Sequence, residues 1–196
     1  LFLQKTCSPS DHTAWVSRLI SCKLEDSVLL VDTLNGAPEE RDCSGQIINV
    51  KETKVIYTIL RCFLKMGIPS NEIGIITPYR AQVKYMKENM PSETNNCDSC
   101  IEVNTVDQYQ GRDKSVILYS CVRSGLREEN IKKGEILNDI RRLNVAVTRA
   151  KTKLIILGCL ETLRLFEPFE KLINSIKRDQ IYELKENVDD FSWKSF

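Results

Sequence analysis

Arginines in this chain stand where a folded backbone would offer them to an anion. Arg80 comes directly after Thr77, Pro78 and Tyr79, behind the apolar run 73–76. Arg112 follows Gly111, and Arg149 closes the stretch 139–151, which also holds Arg141 and Arg142. A guanidinium stays charged at physiological pH and presents its donors as a planar fork that matches phosphate. Thr77 suits an N-cap and Pro78 the first helical position, so unpaired backbone N–H groups would gather beside Arg80. Gly111 removes a side chain where backbone must turn sharply or approach a ligand, with Arg112 and Asp113 supplying a cation and a carboxylate beside it. Each segment alone also has a plain account: a capped helix with a solvated arginine, a tight turn with a surface ion pair, and a charged helical face paired with Asp139 or Glu135. Three such segments in one chain point instead toward phosphate.

Positioning them requires strands and helices, and the apolar pattern supplies both. Residues 28–31 form a continuous apolar run ending in Asp32, as expected for a strand buried on both faces. An aliphatic strand ending in Asp also suits a magnesium-holding strand, although no phosphate loop precedes it here. Further strands are expected over 73–76, 101–104, 116–122 and 154–158. Asn49 with Glu52 three residues on predicts a capping box, and Val55, Ile56, Ile59, Leu60, Phe63 and Leu64 continue one helical face to a stop at Gly67. Helices are also expected over 81–90 and 136–150, the latter with Ile140, Leu143, Val147 and Ala150 on its buried face. One or two more are expected around Pro168. Residues 35–45 and 123–134 read as charged loops. Strands alternating with helices predict an α/β fold, an open and mostly parallel sheet covered on both faces, whose ligands sit beyond the carboxyl ends of the strands. Thr77, Thr105 and Arg123 gather at that rim.

Composition sets bounds on function. The 196 residues are 42% hydrophobic, enough for a core, and the formal net charge is only +1. Basicity is regional: residues 101–153 hold eleven Lys/Arg against seven Asp/Glu, hence 11 − 7 = +4. The absence of a leader-like start and of any long apolar run predicts an intracellular protein without a membrane span. Of the eight cysteines, Cys62, Cys121 and Cys159 lie inside apolar patterns and are expected as reduced thiols. Cys97 and Cys100 have metal-ligand spacing but no second pair nearby, so a plain loop is expected and no metal site is assigned.

Read together, three stretches resemble motifs IV, V and VI of superfamily 1B helicases: GIITPYRAQ at 74–82, EVNTVDQYQGRDKS at 102–115 and RRLNVAVTRAK at 141–151. Their order and spacing match too, and the resemblance spans about 28–176. Within the superfamily, 102–115 is most similar to the nuclease-helicase of Okazaki-fragment processing, ahead of the RNA-decay helicases. The resemblance implies a three-layer RecA-like P-loop NTPase fold, the second helicase domain without a phosphate loop of its own. Residues 28–178 would form that domain, 1–27 a helical lead-in and 179–196 a charged tail.

By position, Arg80 and Arg149 would serve as catalytic arginines at the γ-phosphate, and Gly111 and Asp113 would meet the nucleotide, Asp113 at its ribose or orienting an arginine. Thr77 and Thr105 would hold the nucleic-acid backbone. ATP and Mg2+ would be held mainly by a first RecA-like domain elsewhere in the protein. Single-stranded DNA would be the substrate, with RNA as the alternative, and the nucleus the compartment. The absence of Gly-Lys-Thr and of a carboxylate or cysteine cluster implies that these residues alone neither hydrolyse ATP nor encode a nuclease. A non-hydrolysing binding module is the rival reading.

Overall fold

The computed structural model describes residues 21, 23, 26–34, 37–91, 101–109, 111–131 and 134–184. Most of the expected lead-in, the Cys97/Cys100 loop and the tail beyond residue 184 lie outside them.

A six-stranded sheet forms the centre. Its strands are β1 (Val28–Asp32), β4 (Ile73–Thr77), β5 (Glu102–Thr105), β6 (Lys114–Ser120), β7 (Ala150–Gly158) and β8 (Ile181–Glu183), in the order β5-β4-β6-β7-β1-β8. Every ladder in it is parallel. A separate antiparallel hairpin pairs β2 (Glu40–Arg41) with β3 (Ile47–Ile48). That hairpin occupies part of the expected loop 35–45. The sixth strand falls where only a charged tail was expected, and Tyr182 and Leu184 pack on the core.

Alternation along the strands divides the core in two. Leu29, Val31, Ile75, Val103, Leu118 and Ile155 face α1 (Val50–Lys65) and α2 (Arg80–Glu88). Leu30, Ile76, Ile117, Tyr119 and Ile156 face α3 (Ile140–Val147), α4 (Leu160–Leu163) and α5 (Glu167–Ser175). This is the three-layer RecA-like α/β architecture implied by the sequence.

Two helix starts differ from expectation. Thr77 does not cap α2, because it is the last residue of β4; Tyr79 stands at the cap position without a side-chain hydrogen bond, and Arg80 opens the helix. Asn49 does cap α1, accepting the Glu52 N–H at 2.9 Å, but no reciprocal capping box forms. The Glu52 carboxylate turns inward and accepts from the Ser120 hydroxyl and from the Val122 N–H at 3.0 Å. The basic helix is also shorter than its apolar period suggests. A 3-10 turn covers Ile136–Asn138, Asp139 caps α3 by accepting the Arg141 N–H at 3.0 Å, and the helix stops at Val147.

Candidate functional site

Residues preceding β6 and β7 build the first site. Arg149 is not helical; it lies in the tight turn between α3 and β7, where its carbonyl accepts the Lys114 N–H at 3.0 Å and so joins the two strands at their amino ends. Its guanidinium is tied from three sides. Nε donates to the Val145 carbonyl at 3.2 Å, Nη2 to the Thr148 hydroxyl at 3.2 Å, and Nη1 pairs with Asp113 Oδ1 at 2.8 Å. The side chain is 20% exposed and Asp113 49%. Two of its three contacts are to neutral acceptors, and the third is to a half-exposed carboxylate. Gly111 makes the turn leading to Asp113 with φ +79, a left-handed conformation that favours glycine, and open space lies where a Cβ would point.

The amino end of α3 carries a further fixed charge, away from this site. Arg142 is bidentate to Asp107, at 2.9 and 3.2 Å, and also meets Asp139 at 3.4 Å. It therefore ties α3 to the turn after β5.

Arg80 does not share the site of Arg149, contrary to the expectation that both would converge on one phosphate. Register explains the separation: Lys114 pairs with Ala150 at the amino edge, whereas Ile76 pairs with Tyr119 near the carboxyl edge. Arg80 follows the carboxyl end of β4, about six strand residues higher, on the order of 20 Å away. It lines a second site instead, an open groove of about 420 Å3 shared with Val83, Lys84, Lys87, Glu88, Thr105 and Gln108, in which Lys84 and Glu88 form an exposed pair at 3.9 Å. Three basic residues of α2 and the strand-end hydroxyl of Thr105 thus face one surface. Thr105 is 7% exposed, its hydroxyl 3.4 Å from Gln108 Oε1.

Thr77 is fully buried, and its hydroxyl accepts the Tyr79 N–H at 3.4 Å, so it shapes the turn into α2 rather than offering a hydroxyl to a ligand. Asp32 is likewise engaged: Oδ1 accepts the N–H groups of Leu34 at 2.9 Å and Leu160 at 3.0 Å, which joins the ends of β1 and β7. Among the described residues no group of three or more metal-binding side chains occurs. Cys43, Cys62, Cys121 and Cys159 are free thiols.

Sequence reasoning missed a cluster at the carboxyl rim. Arg123, expected there, is largely enclosed; it pairs through Nε with Glu39 at 2.7 Å and through Nη1 with Glu135 at 2.6 Å. Glu135 also accepts the Tyr79 hydroxyl at 2.7 Å. Burial, with Glu135 beside it, pushes the Tyr79 phenol far above its ordinary pKa and keeps it a neutral donor. The signal was local, a Tyr-Arg turn and a Glu on a charged loop, but nothing in the spacing tied them together.

A family model described as "AAA domain" matches residues 3–161. The DNA replication ATP-dependent helicase/nuclease DNA2 of Xenopus laevis is 41% identical over 189 residues, 96% of this chain and 17% of the relative. Its Homo sapiens counterpart is 45% identical over 145 residues, 74% of this chain and 13% of the relative. The chain therefore spans about a sixth, or less, of the curated relatives it matches. A solved structure, the C-terminal domain of a possible DNA helicase from a Lactobacillus, aligns with TM-score 0.48 and 11% identity over 87% of this chain and 93% of that one. No helix among the described residues is long and apolar enough to cross a membrane.

Proposed function

Because this chain belongs to the AAA domain family, as a superfamily 1B carboxyl-terminal RecA-like domain, we propose that it is the second motor domain of an ATP-dependent DNA helicase of the replication helicase/nuclease type. The observation that carries this reading is the Arg149–Asp113 pair, an arginine held ready by three acceptors at the amino edge of β6 and β7. ATP would supply the phosphoryl group that is cleaved, held with Mg2+ mainly by a first RecA-like domain of the same protein. Arg149 would approach the γ-phosphate across the cleft as an arginine finger, and Asp113 would orient it or meet the ribose. Gly111 would bring backbone toward the nucleotide. A fixed cation meeting charge that develops in a dry site is worth about 10³ to 10⁵ in rate.

The groove of Arg80, Lys84, Lys87 and Thr105 supports a separate role, holding the backbone of single-stranded DNA through phosphate contacts that carry no sequence information. Arg80 belongs to this strand-binding surface, and Thr77 keeps its turn in place. The compartment that fits a replication helicase is the nucleus.

The deciding experiment uses the full-length protein. Arg149→Ala is expected to abolish ATP hydrolysis with only modest loss of ATP binding, whereas turnover near that of the wild type overturns the assignment. Side-by-side titration with DNA and RNA single strands at several salt concentrations tests the substrate. Preference for DNA with affinity falling steeply as salt rises supports the reading, a preference for RNA moves the domain to the RNA helicases, and a flat salt response removes nucleic acid altogether.

A further inference from the structure

Beside the strand groove lies a second hollow, of about 310 Å3, between the β2–β3 hairpin and the amino end of α2. Arg41, Gln46, Ile47, Tyr79, Arg80 and Ala81 line it. Arg80 lines both hollows, so they adjoin along the carboxyl rim. We propose that this hollow holds one nucleotide of the bound single strand, its base against the Tyr79 ring and its phosphate between Arg41 and Arg80. The inference rests on the reading of the neighbouring groove as strand-binding and extends the track past it.

The walls are built rather than incidental. Asn49, directly after β3, donates its N–H to Gln82 Oε1 at 2.8 Å, and Gln82 Nε2 returns a hydrogen bond to the Asn49 carbonyl at 3.0 Å. Both residues are fully buried, so hairpin and helix are locked at a fixed spacing. The hairpin's own turn is pinned by Asp42, whose Oδ1 accepts from the Ser44 N–H, the Ser44 hydroxyl and the Gln46 N–H at 2.8 to 2.9 Å. Arg41 Nη1 donates to the Gly45 carbonyl at 2.7 Å, which steadies the guanidinium without neutralising it.

Tyr79 supplies the third element. Its hydroxyl is anchored on Glu135, itself held by Arg123, so the ring is positioned before a base stacks on it. Ala81 and Gly45 leave room beside the ring. Arg80 is exposed and has no acidic partner among the described residues, in contrast to Arg112, Arg123, Arg142 and Arg149, each of which is paired. A fixed aromatic ring flanked by cations is the combination that binds single strands without regard to sequence.

The test is anisotropy of a labelled oligo-dT bound to the full-length protein, with an abasic site moved along the oligonucleotide. Tyr79→Ala is expected to weaken binding about fivefold or more, the loss of one stacked base, and Tyr79→Phe to retain most of the affinity. One abasic position should cost the wild type as much as Tyr79→Ala does, and cost the Tyr79→Ala variant nothing further. Arg41→Ala should reduce the salt slope by about 0.7, one phosphate contact on a single strand. Arg41 lies on an exposed hairpin, so this arm stands even if Tyr79→Ala fails to fold. Wild-type affinity and slope in Arg41→Ala, with no abasic position sensitive to Tyr79, overturn the proposal. If Lys84→Ala and Lys87→Ala still weaken binding in that case, only the hollow is lost; if they too bind normally, the strand-binding reading of the groove falls with it.

Discussion

Asn49, the cap of α1, and Glu52, in its first turn, hold one residue just beyond the end of β6 from both sides. Asn49 Nδ2 donates to the Val122 carbonyl at 3.0 Å, and Glu52 accepts the Val122 N–H at 3.0 Å. Val122 has φ +70, a left-handed conformation that a β-branched residue adopts only when its surroundings impose it. The turn it makes delivers Arg123 to Glu39 and Glu135, and through Glu135 to Tyr79. A buried helix start thus sets the rim on which the strand-binding surface rests.

Glu52 carries a pH dependence. Full burial raises its pKa from 4.5 to about 7 against the opposing hydrogen bonds from Ser120 and Val122, and its Oε1 has no partner. The folded state therefore binds a proton that the unfolded state has released between those values. Stability from this group is fully present below pH 4.5 and is lost as pH rises through about 7. The loss is on the order of 3 kcal/mol. Urea denaturation from pH 5 to pH 8 should show this decline in the wild type and a flatter profile in Glu52→Gln, which stays neutral throughout. Equal slopes in the two proteins would exclude Glu52 as the titrating group.

Asp113→Asn separates the two roles open to that carboxylate. Asp113 is half-exposed, so losing its ion pair should change stability by less than about 1 kcal/mol. If it orients Arg149, kcat for ATP hydrolysis in the full-length protein falls at least about tenfold with KM little changed, and Asp113→Glu recovers much of the rate. A rise in KM at constant kcat would assign it to the ribose instead.

Much of the fold was legible because strand burial leaves a clear mark. Ile73, Ile75 and Ile76, or Leu154 to Leu157, are apolar without a break, as strands covered on both faces must be. The sixth strand was not legible: Ile181, Tyr182 and Glu183 are short and only half apolar, as suits an edge paired on one side. The basic helix ends earlier than its apolar period indicates, for a related reason. Ala150 continues the helical period, but its backbone pairs with Lys114, and the sheet's register outweighed one small residue's place on a helical face. At the site, motif positions identified Arg149, Asp113, Gly111 and Thr105 as candidates. The family resemblance set Arg80 beside Arg149, yet Arg80 follows a strand and Arg149 precedes one, which in a parallel sheet puts them at opposite ends.

Gly74 shows packing that no local pattern announces. A Cβ at this position in β4 would overlap the Tyr109 hydroxyl and lie 2.8 Å from Tyr109 Cζ and 2.9 Å from Ile117 Cδ1. Tyr109 is fully buried and its hydroxyl has no hydrogen-bond partner. Gly74→Ala should therefore destabilise by about 1 to 3 kcal/mol. Tyr109→Phe, which removes an unsatisfied buried hydroxyl, should be neutral or stabilising and should relieve part of the Gly74→Ala penalty. Strict additivity of the two changes in thermal denaturation would show that they do not meet.

Arg123→Ala tests whether the rim cluster is one unit. The arginine and Glu135 side chains are each only 9% exposed, so removing the cation leaves an enclosed carboxylate without its main partner. Such a loss costs about 3 to 5 kcal/mol, well above the cost of a surface pair. Glu135→Gln combined with Arg123→Ala should recover part of it, because the stranded charge is gone, and Tyr79 can still donate to the amide oxygen. The recovery is read as an upward shift of the denaturation midpoint relative to Arg123→Ala alone. A double variant no more stable than the single one would mean that Arg123 acts through Glu39, whose Oε2 accepts from both Arg123 Nε and the Ser124 N–H, and not through the Tyr79 turn.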